Sequence, residues 1–217
     1  YRGELIYELE ESIRATDAMS EEDMIWLRGL RALFFGSVTL AEHRPLISFL
    51  NYVGVRVTDV ISGILKKGSS DPAFAKSLDW LFDQARLEWF DTPEDAAAFI
   101  ALQGNQENLF NDQAVAKLNF ALLARLILNK DEYNGYYRVT ELVLNEMLPD
   151  IGSVVISDIL RLCRERNFLR RLIEGNSSLT DQVSLTLPTL TMLRDSGFLA
   201  HGNDAFESGT LKISIDP

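Results

Sequence analysis

Residues 19–36 read MSEEDMIWLRGLRALFFG, and this stretch decides the fold class because its apolar side chains recur at helical spacing. Ser20 is placed as an N-cap, its hydroxyl accepting from backbone N–H groups that have no partner inside the helix. Glu21, Glu22 and Asp23 fill the first turn, where the helix dipole favours negative charge. Asp23 stands three residues after the cap, close to a capping box. Met24, Leu27, Leu30 and Phe34 step by three and four residues, and Trp26, Leu33 and Phe35 widen the apolar face. Such a helix is buried over much of its circumference. Gly36 is expected as the residue that stops it.

Downstream, the same signals repeat. Arg44-Pro45 opens a short helix that Gly54 ends, and Val57-Thr58 opens another, with Thr58 as cap and Lys66-Lys67-Gly68 at its close. Asp71-Pro72 caps a helix to about Phe90, and Asp91-Thr92-Pro93 begins a helix that stops near Gly104. Residues 103–112 are rich in turn formers and mark a possible subdivision of the domain. The segment from Gln113 to about Asn129 is apolar nearly all round, which predicts a place at the domain centre. A helix over about Asn134 to Leu148 follows, then one from Ile151 that runs into an arginine-rich end. Thr180-Asp181 is expected to cap a helix that Pro188 interrupts or restarts.

The chain ends read differently. Glu4-Leu5-Ile6-Tyr7-Glu8 alternates as a short strand does, and the tail from Phe198 to Ile215, with a Gly202-Asn203-Asp204 turn, alternates as a β-hairpin whose last strand could pair near Ile6. The expectation is therefore one mainly α domain over residues 1–217, with about nine or ten helices, a short N-terminal strand and a C-terminal β-hairpin.

The order at the N-terminus carries a resemblance. A strand with a glutamate-rich end leads through an irregular polar link into Met19-Ser20-Glu21-Glu22-Asp23 and a long helix bearing basic and aromatic residues. From Glu4 to Phe35 this resembles the region after the last barrel strand in cobalamin-binding radical S-adenosylmethionine enzymes. The resemblance implies a C-terminal fragment of such an enzyme: a helical cap on the substrate side of the barrel, not catalytic alone. It also implies S-adenosylmethionine, an iron–sulfur cluster and cobalamin held by other parts of the parent enzyme. The three-cysteine cluster motif of that family is absent, since Cys163 is the only cysteine. A self-contained helical module that binds a protein partner is the alternative expectation.

Composition narrows the classes further. At 217 residues the chain can bury about 70% of its unfolded surface, and its 47% hydrophobic and 24% charged fractions are those of a globular protein. No apolar run approaches the roughly 20 residues of a membrane span. A net charge of −11 opposes generic nucleic-acid binding, since phosphates would repel the protein. A single cysteine cannot form an internal disulfide, which fits a cytoplasmic setting, and no targeting peptide is visible.

Candidate chemistry is sparse. His43, His201 and Cys163 lie far apart, so no metal site of nitrogen or sulfur ligands is expected. His43 falls at a helix start, where a capping or solvent role is expected. The acids from Glu8 to Asp23 lack the spacing of a calcium loop, and neither a phosphate-binding glycine loop nor a nucleophile elbow occurs. Two groups remain. Arg161, Arg164, Arg166, Arg170 and Arg171 form a basic cluster suited to an anion or an acidic partner, because guanidinium groups pair with carboxylate and phosphate bidentately. Tyr133, Tyr136 and Tyr137 beside Arg138 are candidates for lining a pocket.

Overall fold

The helix over Glu21–Phe34 (α1) forms as its sequence requires: the Ser20 hydroxyl accepts from the Asp23 N–H at 3.2 Å, and the Asp23 carboxylate accepts from the Ser20 N–H at 2.8 Å. Ile25, Ala32 and Leu33 on its inner side are buried. A computed structural model describes residues 15–39, 43–87, 89–102, 118–167, 180–200, 205–207 and 210–214. The expected strand at Glu4–Glu8, the loop at 103–112 and the start of the apolar helix at 113–117 lie outside the described residues.

Gly36 does not stop the first helix. The chain widens there into a π-helical turn over Phe35–Thr39. Gly36 is not among the glycines with positive φ, Gly54 and Gly197, so the left-handed stop expected of it does not form. The next helices are α2 (Arg44–Tyr52), α3 (Val57–Lys67), α4 (Pro72–Leu87) and α5 (Pro93–Ala101). Arg56, and not Thr58, occupies the N-cap of α3. Asp71 caps α4 as expected, its Oδ1 accepting from the N–H groups of Ala73 and Phe74 at 3.0 and 3.1 Å. Thr92 likewise caps α5 through the Asp95 N–H.

Next come α6 (Leu118–Leu128), α7 (Lys130–Met147) and α8 (Ser153–Glu165). After a strand, Thr180–Ser184 (β1), α9 (Leu187–Asp195) completes nine α-helices among the described residues, and the protein is mainly helical. The helix cap expected at Thr180-Asp181 is thus replaced by a strand, and the helix begins only at Leu187. Thr210–Ser214 runs extended beside β1 and Ala205–Glu207 beside Thr210–Ser214, but the Gly202-Asn203-Asp204 turn of the expected hairpin lies outside the described residues. Thr210–Ser214 aligns with Thr180–Ser184, whereas the segment near Ile6 is not described.

The centre of the domain is α7, which packs against α3, α4, α6 and α8. The expectation had placed the more apolar α6 there. Leu122, Leu123, Leu126 and Ile127 of α6 are buried, but Phe120 and Leu128 remain 46% and 66% exposed. The reason lies in the tyrosines. Tyr133, Tyr136 and Tyr137 present large apolar rings to the core, and the Tyr133 and Tyr136 hydroxyls meet Asn167 and Ser37 there, so a helix of modest hydropathy is buried deeply. It also starts a turn earlier than its pattern indicates, at Lys130 with Asn129 as N-cap. Gly135 matters to this packing: a Cβ there would lie 2.5 Å from Asp71 Oδ1 and 2.9 Å from the Phe74 nitrogen, so only glycine lets the start of α4 sit against α7.

Candidate functional site

A polar feature lies inside the core where the π-turn after α1, the start of α2 and the first turns of α7 meet. Ser37 comes from the π-turn, His43 from the N-cap position of α2, and Tyr136 from α7. All three are buried. The Ser37 and Tyr136 hydroxyls lie 3.3 Å apart, and the His43 N–H donates to the Ser37 carbonyl at 3.2 Å. Two small cavities share these three residues as wall. One, of about 20 Å³, is otherwise lined by Ala32, Leu33, Gly36, Leu122, Leu123, Leu126 and Tyr133; the other, of about 10 Å³, lies toward Leu46, Leu50 and the inner face of α3.

His43 is not the exposed cap expected of it. Its side chain makes no capping hydrogen bond, and its residue is 3% exposed. The imidazole sits 5.5 Å from the Tyr136 ring and 5.6 Å from the Tyr137 ring, centroid to centroid. Burial pushes its pKa down to about 4, because the charged form would have to leave water without a counter-ion. The ring is therefore neutral at pH 7, and its buried Nε2 has no hydrogen-bond partner. Such a group normally costs about 1–3 kcal/mol.

The three tyrosines are distributed around this feature. Tyr133 and Tyr136 line the larger of these two cavities, and the Tyr133 hydroxyl accepts from Asn167 Nδ2 at 3.2 Å. Tyr137 is not among the lining residues. Burial, followed by the nearby Tyr133 hydroxyl, pushes its pKa well above that of an ordinary phenol. Tyr133 opposes its ionisation, yet the Tyr137 hydroxyl has no partner in hydrogen-bonding geometry. Arg138 points elsewhere: its Nε donates to Asp71 Oδ2 at 2.7 Å and its side chain is 57% exposed. The Arg138 guanidinium, followed by the Ala73 and Phe74 N–H groups, holds the Asp71 carboxyl below its usual range against the opposing effect of burial.

The arginine cluster does not assemble into one site among the described residues. Arg161 donates to Asp158 Oδ1 at 2.6 Å and to the Ser184 carbonyl. The Arg164 guanidinium lies 5.6 Å from the centre of the Tyr137 ring, and that of Arg166 lies 5.4 Å from the centre of Phe198. Arg170 and Arg171 lie outside the described residues. What sequence reasoning missed here is Asp158. Its Oδ2 accepts from the Thr186 N–H, the Thr186 hydroxyl and the Thr189 hydroxyl at 2.8 to 2.9 Å, so α8 supplies the cap that α9 lacks in its own sequence. Burial alone would raise the Asp158 pKa, but these hydrogen bonds and Arg161 outweigh it and hold the carboxyl below its usual range.

Among the described residues no group of three or more His, Cys, Asp or Glu side chains is arranged to hold a metal ion. Cys163 is fully buried in the core. The described residues therefore do not fit an iron–sulfur cluster. Among them, too, no helix is long and apolar enough to cross a membrane. Neither a protein-family model, nor a curated protein, nor a solved structure matches the chain.

Proposed function

We propose that this chain is the C-terminal, substrate-side helical domain of an enzyme resembling the cobalamin-dependent radical S-adenosylmethionine group. In that role it covers the mouth of the barrel and carries no reactive centre of its own. The observation that carries the reading is the helix start Met19-Ser20-Glu21-Glu22-Asp23. It matches the helix entry of that group in residue order, and its reciprocal Ser20–Asp23 cap defines where α1 begins. The backbone bridge between Thr16 and Met19 supports it, because it ties the preceding link to that entry. The iron–sulfur cluster, S-adenosylmethionine and cobalamin belong to other parts of the parent enzyme in this reading.

The upstream coding sequence and one truncation test it. A Cys-x-x-x-Cys-x-x-Cys motif is expected upstream of Tyr1, and a gene that starts immediately before Tyr1 refutes the kinship. In the longer enzyme, ending the chain before Glu21 is expected to abolish turnover while iron, sulfide and cobalamin contents stay unchanged. Full turnover in that truncated enzyme refutes the covering role.

A second reading, a self-contained module that docks on a protein partner, has one observation in its favour. Leu87 and Leu102, at the ends of α4 and α5, are more than 60% exposed, and the part-exposed Phe90 and Phe99 rings lie 5.2 Å apart. Replacing Leu87 and Leu102 together by Ser tests this reading: loss of a heterologous complex from a variant that keeps its helical circular dichroism supports the module, and an undiminished complex refutes it.

A further inference from the structure

An open cavity of about 320 Å³ lies where the start of α4 meets the junction of α6 and α7, walled by Lys76 from α4 and by Leu128, Asn129, Lys130, Asp131 and Glu132 from the junction. Its size is that of a small ligand pocket, which begins at about 300 Å³, and not of a packing defect. The charges in its wall are not equally available. Glu132 is engaged by the protein itself: Arg125 donates to both carboxylate oxygens, at 2.7 and 2.9 Å, Ser77 donates to Oε2, and only 12% of the side chain is exposed. The Arg138 pKa is raised first by its hydrogen bond to Asp71, against the effect of desolvation, and then by the charges of Asp71 and Asp131, so the Asp131 carboxylate shares its field with that guanidinium. What the wall offers a ligand is chiefly the ammonium groups of Lys76 and Lys130, carried by two separate helices and both exposed. Asn129 does not cap α7, since its Nδ2 donates to the Arg125 carbonyl at 3.0 Å, so the positive end of the α7 dipole borders the cavity and adds to the two lysines.

We propose that this cavity binds a small phosphorylated molecule, its phosphate held between the Lys76 and Lys130 ammonium groups and its carbon end against Leu128. A phosphate monoester carries about −1.5 to −2 charges at pH 7, enough to engage both lysines, whereas a single carboxylate engages one. Lysine serves such a group as a point charge and needs no bidentate geometry. The overall charge of −11 works against any anion, so binding depends on these two side chains and weakens as salt screens them. The site depends on neither role proposed above for the whole chain.

The probe is phenyl phosphate, titrated into the full chain at low salt and followed by calorimetry and 31P NMR, with inorganic phosphate and phenol as comparisons. Saturable binding of phenyl phosphate is expected, with inorganic phosphate weaker and phenol not bound. Replacing both Lys76 and Lys130 by Gln touches two exposed side chains, so circular dichroism should be unchanged while binding weakens more than about tenfold. Replacing the exposed Arg44 and Lys66 by Gln removes the same charge elsewhere and should weaken binding less than about twofold. A wild type that shows no saturation overturns the proposal, as does undiminished binding in the Lys76→Gln, Lys130→Gln protein. An equal loss in the two double variants overturns it too, because the attraction would then belong to the whole surface. Inorganic phosphate binding as tightly as phenyl phosphate refutes the assignment to a phosphorylated molecule.

Discussion

Replacing His43 by Phe removes a titrating group from the core while keeping an aromatic ring, and the consequence can be worked out as a function of pH. The folded-state pKa is about 4 against an ordinary value of 6.5. The unfolded chain therefore binds a proton more readily than the folded one across that interval, and stability rises with pH through it. Expressed as pH falls, the stability contributed by the neutral ring is complete above pH 6.5, begins to be lost as the unfolded state protonates, and is gone once the pH passes about 4. With about 1.36 kcal/mol per pKa unit, the wild type should lose about 2 kcal/mol by pH 5 and about 3 kcal/mol by pH 4 through His43 alone. The measurement is urea unfolding of wild type and His43→Phe at pH values from about 7.5 to about 4.5, followed by circular dichroism. Carboxylates and His201 are common to both proteins and cancel in the difference. The expected result is a stability gap that moves by about 2 kcal/mol in favour of the variant between pH 7 and pH 5. Parallel curves would mean that His43 is hydrated in the folded protein, and the burial argument would fail.

Four other outcomes are expected. Glu132→Ala strips both the Ser77 hydroxyl and the Arg125 guanidinium of their partner in a nearly buried network, and thermal unfolding should show a loss of about 3 kcal/mol, against less than 1 kcal/mol for an exposed pair such as Arg56–Asp59. Asp158→Asn keeps the shape of the side chain but loses the charge that gathers Thr186, Thr189 and Arg161, and denaturant unfolding should record a loss of about 2 kcal/mol at pH 7. Because the folded Asp158 pKa is lowered, its contribution is present above the unfolded carboxylate range and fades as pH falls through the folded pKa, so wild type and variant should converge in acid. Gly135→Ala should cost roughly 1–3 kcal/mol because its methyl group meets Asp71 and the Phe74 backbone, whereas Gly152→Ala, with nothing within 4 Å of its Cβ, should be neutral in the same melt.

How much of this was legible beforehand depends on the range of the interaction. The cap at Ser20, the Asp71-Pro72 and Thr92-Pro93 starts and the stop at Gly54 are local chemistry, complete within four or five residues, and each stands where the sequence puts it. The stop expected at Gly36 failed because glycine permits a left-handed end but does not require one, and here the chain continues as a π-turn. Hydropathy misplaced the centre of the domain. It ranks leucine-rich α6 above tyrosine-rich α7, although α7 buries Tyr133, Tyr136 and Tyr137 and packs against four other helices, while α6 leaves Phe120 and Leu128 exposed.

The candidate site shows the same division. Tyr133, Tyr136 and Tyr137 stood out beside Arg138 as aromatic residues at a helix start, and of these Tyr133 and Tyr136 line the cavity. Their partners Ser37 and His43 gave no periodic signal, and the contact of Ser37 with Tyr136 spans 99 positions. The arginines from Arg161 to Arg166 read as one cluster along the chain, but a carboxylate and two aromatic rings brought in by folding engage them separately. Sequence alone determined the helical class, most helix starts and the −11 charge, since these follow from nearest-neighbour spacing and composition. Tertiary structure alone decided that a histidine at a helix start is buried and neutral, and that an aspartate on α8 caps α9, because burial and long-range hydrogen bonding exist only once distant segments meet.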